Sequence, residues 1–243
     1  MTTTTIDPAQ ARLFDSIAHE WWDAEGSSGP LHKVNPVRLA FIREQALAHF
    51  GRDSRDRAWL AGLDVLDIGC GGGILAEPLA RLGGRVTAID AAAEAIAVAK
   101  AHAADSGLEI DYRQSSVEAL AEDGKCFDLI TCMEVVEHVA DVPVFLAGIA
   151  RLLKPGGLLV FSTPNRTALS YATLIVGAEW VLRFIPRGTH DWNQFLTPEE
   201  LTVALETAEL KVTETRGIGF RPSRGFELSD DRRINYIGAA VHA

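Results

Sequence analysis

The sequence contains little cysteine and carries an excess of negative charge. Its three cysteines, Cys70, Cys126 and Cys132, lack the pair spacing of a zinc site, so we expect reduced thiols. Lysine and arginine total 23 against 33 aspartates and glutamates, a formal net charge of −10 that argues against nucleic acid as a partner. The first residues carry neither the basic start nor the apolar run of a signal peptide, so we expect a cytoplasmic protein.

The length of 243 residues suits one large α/β domain, and the chain contains no internal repeat. We predict a helical cap over 1–60, a core over 61–165, a hydrophobic insertion over 166–196, and a helix with closing strands over 197–243. Helices and strands alternate from residue 63, which is typical of a doubly wound, mostly parallel, Rossmann-like sheet of seven strands. Strands are predicted near 63–68, 85–90, 109–113, 127–132, 157–163, 210–216 and 234–241, and helices near 8–23, 36–50, 74–82, 93–106, 140–153 and 198–208.

A glycine-rich turn follows the first predicted strand of the core. Residues 65–77 read Val-Leu-Asp-Ile-Gly-Cys-Gly-Gly-Gly-Ile-Leu-Ala-Glu, a buried strand, a turn and the start of a helix. Asp90 ends the next strand, where an acidic group accepts hydrogen bonds from ribose hydroxyls. The unit predicts a site for an adenosine-containing cofactor. A glycine turn without a ligand is the alternative.

Two residues separate the possible nucleotide cofactors. Ile74 stands where a dinucleotide-binding turn requires its third glycine, and the Asp67 carboxylate would repel a pyrophosphate. A cationic ligand tolerates that carboxylate, so the pattern resembles the S-adenosylmethionine (AdoMet) loop of class I methyltransferases, whose ligand is a sulfonium without phosphate. A nicotinamide-dependent oxidoreductase is the less favoured alternative.

The carboxyl ends of parallel strands meet at one edge of the sheet, so the residues that follow them line a common crevice. We expect Ser116 and Val117 to flank adenine, Met133 to lie along the adenosyl or methionine portion, and Arg38 to bind the methionine carboxylate. Ser116 has an equal alternative as the N-cap of a helix. The expected cofactor-binding residues are Arg38, Asp67, Gly69, Gly71, Asp90, Ser116, Val117 and Met133.

Two carboxylates and an imidazole follow the fourth predicted strand. Glu134, Glu137 and His138 share one face if the chain turns helical there. Such a group binds a divalent cation, supplies a general base, or forms a solvated helix edge, and all three roles stay open. Magnesium prefers oxygen ligands, so the two glutamates suit it better than His138 does.

Three further features of the sequence have predicted roles. His190 and Trp192 lie in a loop where they would orient a phenol and stack on its ring, with packing of the insertion against the core as an equal alternative. Thr197 and Glu200 predict a capping box.

The first predicted helix carries a stripe of apolar side chains along one face. This stripe either packs on the sheet or covers a substrate, and packing on the sheet is favoured. The stripe consists of Leu13, Phe14, Ile17, Trp21 and Trp22.

The segment 168–185 is apolar but contains Glu179 and Arg183, which makes it a poor transmembrane helix. A helix lying in the membrane plane would bury its apolar residues while arginines contact anionic headgroups. A buried core helix or a substrate lid is the alternative. The apolar residues are Leu174, Ile175, Trp180, Val181, Phe184 and Ile185, and the arginines are Arg166, Arg183 and Arg187.

The chain resembles the bacterial ubiquinone-biosynthesis O-methyltransferases. The segments that carry the resemblance are 35–38, 65–77, 132–139, 154–157, 162–166, 176–180 and 188–191, which together span nearly the whole chain. The resemblance implies AdoMet contacts at Arg38, Gly69, Asp90 and Met133, with S-adenosylhomocysteine (SAH) as the product. It also implies O-methylation of 2-polyprenyl-6-hydroxyphenol and 3-demethylubiquinol.

The resemblance further implies Mg²⁺ dependence at Glu134, Glu137 and His138. It places the protein at the inner face of the cell membrane, with anionic lipids bound through the 166–190 insertion and other ubiquinone-biosynthesis proteins as partners. Because a phenol is protonated at neutral pH, methyl transfer needs a base such as His138 or His190, or a chelating metal. A methyltransferase for another small hydroxylated aromatic and a non-catalytic membrane adaptor are the remaining alternatives.

Overall fold

The structure is a computed structural model that describes residues 4–26, 28–181, 189, 191–221 and 223–243. The strands of the described chain are β1 (Asp64–Ile68), β2 (Arg85–Asp90), β3 (Asp111–Gln114), β4 (Phe127–Met133), β5 (Leu153–Pro164), β6 (Leu210–Arg221), β7 (Gly225–Ser229) and β8 (Asn235–His242). They form one sheet in the order β3-β2-β1-β4-β5-β8-β6-β7. Strands β1 to β5 are mutually parallel, as the alternating pattern predicts.

Helices cover both faces of the parallel strands. The described helices are α1 (Pro8–Ser16), α2 (Gly29–Phe50), α3 (Ala76–Arg81), α4 (Ala93–Asp105), α5 (Val117–Glu122), α6 (Val142–Leu152), α7 (Ala168–Ser170) and α8 (Pro198–Thr207), with 3₁₀ turns at Ala18–Glu20, Val136–His138 and Trp192–Gln194 and a π-helix at Tyr171–Val181. Residues 65–68 of β1 are completely buried, because a central parallel strand is covered on both sides. The two faces contribute two separate apolar clusters.

The closing strands differ from the prediction. Strand β8 lies antiparallel between β5 and β6, and β7 forms a hairpin with β6 at the edge of the sheet. The described chain thus has eight strands where seven were predicted. The hairpin closes at Gly225, whose φ of 79° suits glycine. Strand β7 lies at the edge of the sheet and is half-buried throughout, so its sequence Gly-Phe-Glu-Leu-Ser lacks the apolar run that marks a central strand.

Two helical boundaries also differ from the prediction. Helix α2 begins at Gly29 and contains Pro36, which was predicted as its first residue because proline usually occupies the first turn. Helix α1 ends at Ser16, earlier than predicted. The two predicted helix N-caps are present: Ser116 Oγ accepts a hydrogen bond from Ala119 N at 3.2 Å, and Thr197 forms a capping box with Glu200.

The insertion after β5 consists of α7 and the π-helix, followed by residues 182–188 and 190, which lie outside the described chain. Leu169, Tyr171, Val176 and Trp180 are exposed. Ile175 is buried within the protein and Leu174 lines a cavity, so these two do not form the outward face that we expected. None of the described helices combines the length and apolarity needed to cross a bilayer.

The structure describes only one of the three arginines that were predicted to contact lipid headgroups. Arg166 is paired with Glu200 and donates to the Phe195 carbonyl at 3.4 Å, so it has partners within the protein, and its contact with headgroups stays a prediction. The predicted contributions of Arg183, Phe184, Ile185, Arg187 and the Val181 side chain fall outside the described part of the chain.

Candidate functional site

A cavity of about 630 Å³ runs along the carboxyl edge of the sheet. It begins at the ends of β1 and β2 and reaches the end of β6. Seven of the eight predicted cofactor-binding residues line it, namely Arg38, Asp67, Gly69, Asp90, Ser116, Val117 and Met133. Gly71 is the exception. The rule that ligands bind at the carboxyl edge of a parallel sheet therefore located this cavity correctly.

Gly71 is covered by the cap rather than exposed to the cavity. Its N–H donates to Asp90 Oδ2 at 2.8 Å, and a Cβ atom there would lie 2.4 Å from the Trp21 ring. A Cβ atom on Gly72 would also lie 2.4 Å from Trp21. Glycine is thus required at these two positions because a tryptophan packs on the turn. At Gly69, with a φ of 68°, the added Cβ would meet Val135 instead.

Asp90 joins the glycine turn to α4. One carboxylate oxygen accepts from Gly71 N and the other accepts from Ala92 N, both at 2.8 Å. Burial raises the pKa of Asp90 above its ordinary value. Each oxygen retains a second lone pair, so the group can still accept from ribose hydroxyls.

Asp67 is the buried acid at the floor of the cavity. Its Oδ1 accepts from Thr131 Oγ1 at 2.7 Å, and its Oδ2 has no hydrogen-bond partner within the described chain. Burial raises the pKa of Asp67 to about 7, although the Arg38 charge opposes the rise. A buried acceptor of this kind fits a cationic ligand, because an opposite charge stabilises its ionised form.

Arg38 and Glu134 form an ion pair in the wall of the cavity. Arg38 Nη2 lies 3.3 Å from Glu134 Oε1, and both residues line the cavity wall. Glu134 has a φ of 56°, a left-handed conformation that is uncommon outside glycine. Its carboxylate accepts from Ser162 Oγ at 2.5 Å and from Asn235 Nδ2 at 2.8 Å, so strands β5 and β8 hold it in place.

His138 lines the cavity, whereas Glu137 lies behind the wall. His138 Nε2 is 4.0 Å from Glu137 Oε1, and the Phe14 ring meets the imidazole edge-on at 5.5 Å. Glu137 Oε2 accepts from Thr163 Oγ1 at 2.9 Å. Burial and the neighbouring Glu134 raise the pKa of Glu137 well above its ordinary value.

The cap over the cavity was only partly predicted. Phe14, Ile17 and Trp21 line the cavity, which favours the substrate-covering alternative over packing on the sheet. Trp22 Nε1 donates to the Gly72 carbonyl at 2.9 Å and its ring stacks on His102 at 3.4 Å. The adjacent Trp-Trp pair was the available signal, but its contact with the glycine turn depends on tertiary packing.

Comparison with known proteins assigns the family. The sequence model of the methyltransferase domain family matches residues 66–161 of this chain. The "Ubiquinone biosynthesis O-methyltransferase" of Dinoroseobacter shibae is 50% identical over 241 residues, covering 98% of this chain and 97% of that protein. The protein of the same name from Methylobacterium nodulans is 50% identical, covering 98% and 96%. This chain belongs to the ubiquinone biosynthesis O-methyltransferase family.

Solved structures support the same fold for this ubiquinone biosynthesis O-methyltransferase family member. Magnesium protoporphyrin IX methyltransferase from Synechocystis PCC 6803 with bound SAH matches with a TM-score of 0.65 at 18% identity, covering 96% of each chain. A SAM-dependent methyltransferase from Aquifex aeolicus matches with a TM-score of 0.56 at 18% identity, covering 98% of this chain and all of the other. The chain is an AdoMet-dependent O-methyltransferase with the predicted α/β fold.

The magnesium ion that the resemblance to the ubiquinone biosynthesis O-methyltransferases implies lacks a matching ligand set here. Among the described residues, no group of three histidines, cysteines or acids is arranged to hold a metal ion. The Glu134 carboxylate already has Arg38, Ser162 and Asn235 as partners, and Glu137 is buried against Thr163 rather than exposed to the cavity. The described residues therefore offer no preformed ligand set for the ion, and the magnesium site stays a prediction from the sequence.

The second predicted histidine of this O-methyltransferase, His190, lies outside the described residues. Its neighbour Trp192 does not line the cavity. Trp192 Nε1 donates to the Thr167 carbonyl at 3.0 Å, and the ring meets Tyr171 edge-on at 6.2 Å. Trp192 therefore packs the insertion against the core, which was the alternative to stacking on a phenol.

Proposed function

We propose that this protein methylates phenolic hydroxyls of polyprenylated intermediates, specifically 2-polyprenyl-6-hydroxyphenol and 3-demethylubiquinol. The observation that carries the proposal is one cavity that joins the glycine turn and Asp67 to His138 and then to an apolar end. The names of the relatives at 50% identity give the same pathway.

The bound AdoMet would supply a methyl group on a sulfonium. The chain has to hold an acceptor oxygen in line with that methyl group, and orientation of this kind lowers the barrier by several kcal/mol. Arg38 binds the carboxylate of the cofactor, and Asp67 favours its positive charge. Phe14 and Trp21 cover the reactants and exclude water.

His138 is the proposed general base. It lies in the cavity wall, and the buried Glu137 behind it and the Phe14 ring in front restrict its orientation. A neutral imidazole has one ring nitrogen with a lone pair, which accepts the phenol proton as the oxygen attacks. An electron pair of that oxygen would form the new carbon–oxygen bond, while the pair of the broken sulfur–carbon bond would stay on sulfur, cancel its positive charge and leave SAH.

A methyl-transfer assay tests this function. Radiolabelled AdoMet and a short-chain demethylubiquinol analogue give the rate for the wild type, His138→Ala and a control, His49→Ala, whose ring lies on the surface and bonds the Gly156 carbonyl. We expect His138→Ala to lower kcat at pH 7 by at least about 10²-fold and the control to be unaffected. Equal kcat values for both variants would exclude His138 as the base, and labelling of no phenol or quinol would refute the function.

We also propose that residues 166–190 associate with anionic lipids at the inner face of the cell membrane. The exposed Leu169, Tyr171, Val176 and Trp180 of the insertion support this proposal, since apolar side chains clustered on one element favour an interfacial position. We expect Trp180→Glu to abolish flotation with anionic liposomes. Val203→Glu, at an equally exposed position on α8, should float like the wild type. Equal flotation of both variants would contradict lipid contact at Trp180.

A further inference from the structure

The hairpin of β6 and β7 carries apolar side chains on one face. Phe220 pairs directly with Phe226 across the two strands, and their rings meet edge-on at 5.2 Å. Ile218 lies two residues before Phe220 and therefore on the same face. These three residues, Ile218, Phe220 and Phe226, are called the hairpin strip below.

The exposure of the hairpin strip increases towards the turn. Ile218 is 5% exposed and belongs to the core, Phe226 is half-buried against the core, and Phe220 is 60% exposed. A large aromatic side chain this exposed at the end of a buried apolar strip is a candidate contact for an apolar ligand.

The hairpin strip lines the same cavity as the glycine turn. Ile218, Phe220 and Phe226 all contribute to the cavity wall, together with Pro164 and Leu174 from β5 and the insertion. Strand β6 is parallel to β5 because β8 runs antiparallel to both, so its carboxyl end lies at the ligand-binding edge of the sheet.

The cavity changes in polarity along this edge. Asp90 and Ser116 lie at the β2–β3 end, Arg38 and Glu134 lie in the middle, and the hairpin strip lies at the β6–β7 end. Apolar cavity walls with a few polar groups at defined points suit a ligand with matching polar and apolar parts.

We propose that the hairpin strip binds the first prenyl units of the substrate tail and makes methylation depend on tail length. This inference deepens the proposed function and rests on it. The aromatic ring of the substrate lies beside His138, and the tail extends from it over Ile218 towards Phe220 and Phe226, where burial of each isoprene unit stabilises the complex.

The test measures kcat/KM for a series of quinols with no, one, two and three prenyl units. For the wild type we expect KM to fall as the tail lengthens. Phe220→Ser should raise KM for the two- and three-unit quinols roughly tenfold and leave the tail-less quinol unchanged. Phe220→Leu should restore most of the chain-length dependence, since leucine is also apolar.

Two controls separate tail binding from general damage. Val203→Ser removes an apolar side chain that is 63% exposed on α8, outside the cavity, and should keep the wild-type dependence on tail length. Calorimetry with SAH should give the wild-type affinity for Phe220→Ser, which shows that the fold and the cofactor end are intact. Phe226→Ser repeats the test from the neighbouring strand.

Several outcomes would overturn the inference. One is that the Phe220 and Phe226 variants lose equal activity towards tail-less and prenylated quinols. Another is that both variants keep the wild-type dependence on tail length. The third is that they lose flotation with liposomes while their KM values stay unchanged. In each case methylation of the tail-less quinol by the wild type would leave the proposed function standing. Failure of the wild type to methylate any quinol in the series would instead refute the proposed function.

Discussion

The carboxyl group of Asp67 is buried and has one oxygen without a hydrogen-bond partner in the described chain. Burial favours the neutral form and raises the pKa of Asp67 to about 7, so in the free protein its ionisation costs stability as the pH rises from its unfolded value towards 7. A bound sulfonium reverses the preference, because it interacts favourably only with the ionised carboxylate.

The affinity for AdoMet, relative to SAH, should therefore depend on pH. SAH lacks the positive charge, so the ratio of the two affinities isolates the electrostatic contribution. We expect the preference for AdoMet to increase several-fold between about pH 6 and about pH 8, as Asp67 ionises around its pKa of about 7. Calorimetry over this range gives the ratio. In Asp67→Asn the ratio should be independent of pH, and a parallel rise in that variant would assign the effect to another group.

The contact between the cap and the glycine turn joins two elements that are distant in sequence. Trp21 covers Gly71 and Gly72, and Trp22 bonds the Gly72 carbonyl. Glycine is required at these positions for two separable reasons. Gly71 has a positive φ, and the Trp21 ring lies against both Gly71 and Gly72. Gly51, which ends α2, has a similar φ of 60° and nothing within 4 Å of an added Cβ, so it provides a matched control.

The comparison of Gly71→Ala with Gly51→Ala separates these reasons. Gly51→Ala should lower the free energy of unfolding by about 1 kcal/mol through backbone strain alone. Gly71→Ala should cost about 1–3 kcal/mol more, because its methyl group collides with Trp21. Urea titration measures both. Adding Trp21→Ala should recover about 1 kcal/mol of the difference, and strictly additive losses would show that the ring does not restrict this position.

The parallel part of the sheet was predictable because strands and helices alternate along the chain and β1, β2, β4 and β5 contain short apolar runs. The cavity position followed from the same topology, and seven of the eight residues predicted to bind the cofactor line that cavity. What the sequence did not reveal depends on tertiary contacts: the Trp21 ring over Gly71, the partners of Glu134 on β5 and β8, and the edge strand β7. A periodic pattern within one segment carries no information about which distant segment covers it.

The end of the cavity that we propose binds the cofactor lies between two layers of the molecule. The sheet supplies the floor through Asp67 and Asp90, and the cap supplies the cover through Phe14, Ile17 and Trp21. A ligand between these layers makes contacts with both, so its binding is coupled to the order of the cap and to the stability of the entire domain.

Saturating SAH should therefore stabilise the protein and protect its cap. At a ligand concentration of about 100 Kd the gain is about 2.7 kcal/mol, which corresponds to a rise in Tm of roughly 5–10 °C for a domain of this size. Calorimetric melting gives the shift, and hydrogen exchange should show slower exchange in residues 8–26 as well as in the glycine turn. Protection of the turn without protection of the cap would contradict the two-layer arrangement.

The cap and the β6–β7 hairpin border opposite ends of one continuous cavity. In the proposed function a water-soluble reactant would therefore occupy one end of the cavity and a lipid-soluble reactant the other. The spent nucleoside could then be exchanged at the cap end while the methylated product still occupied the hairpin end.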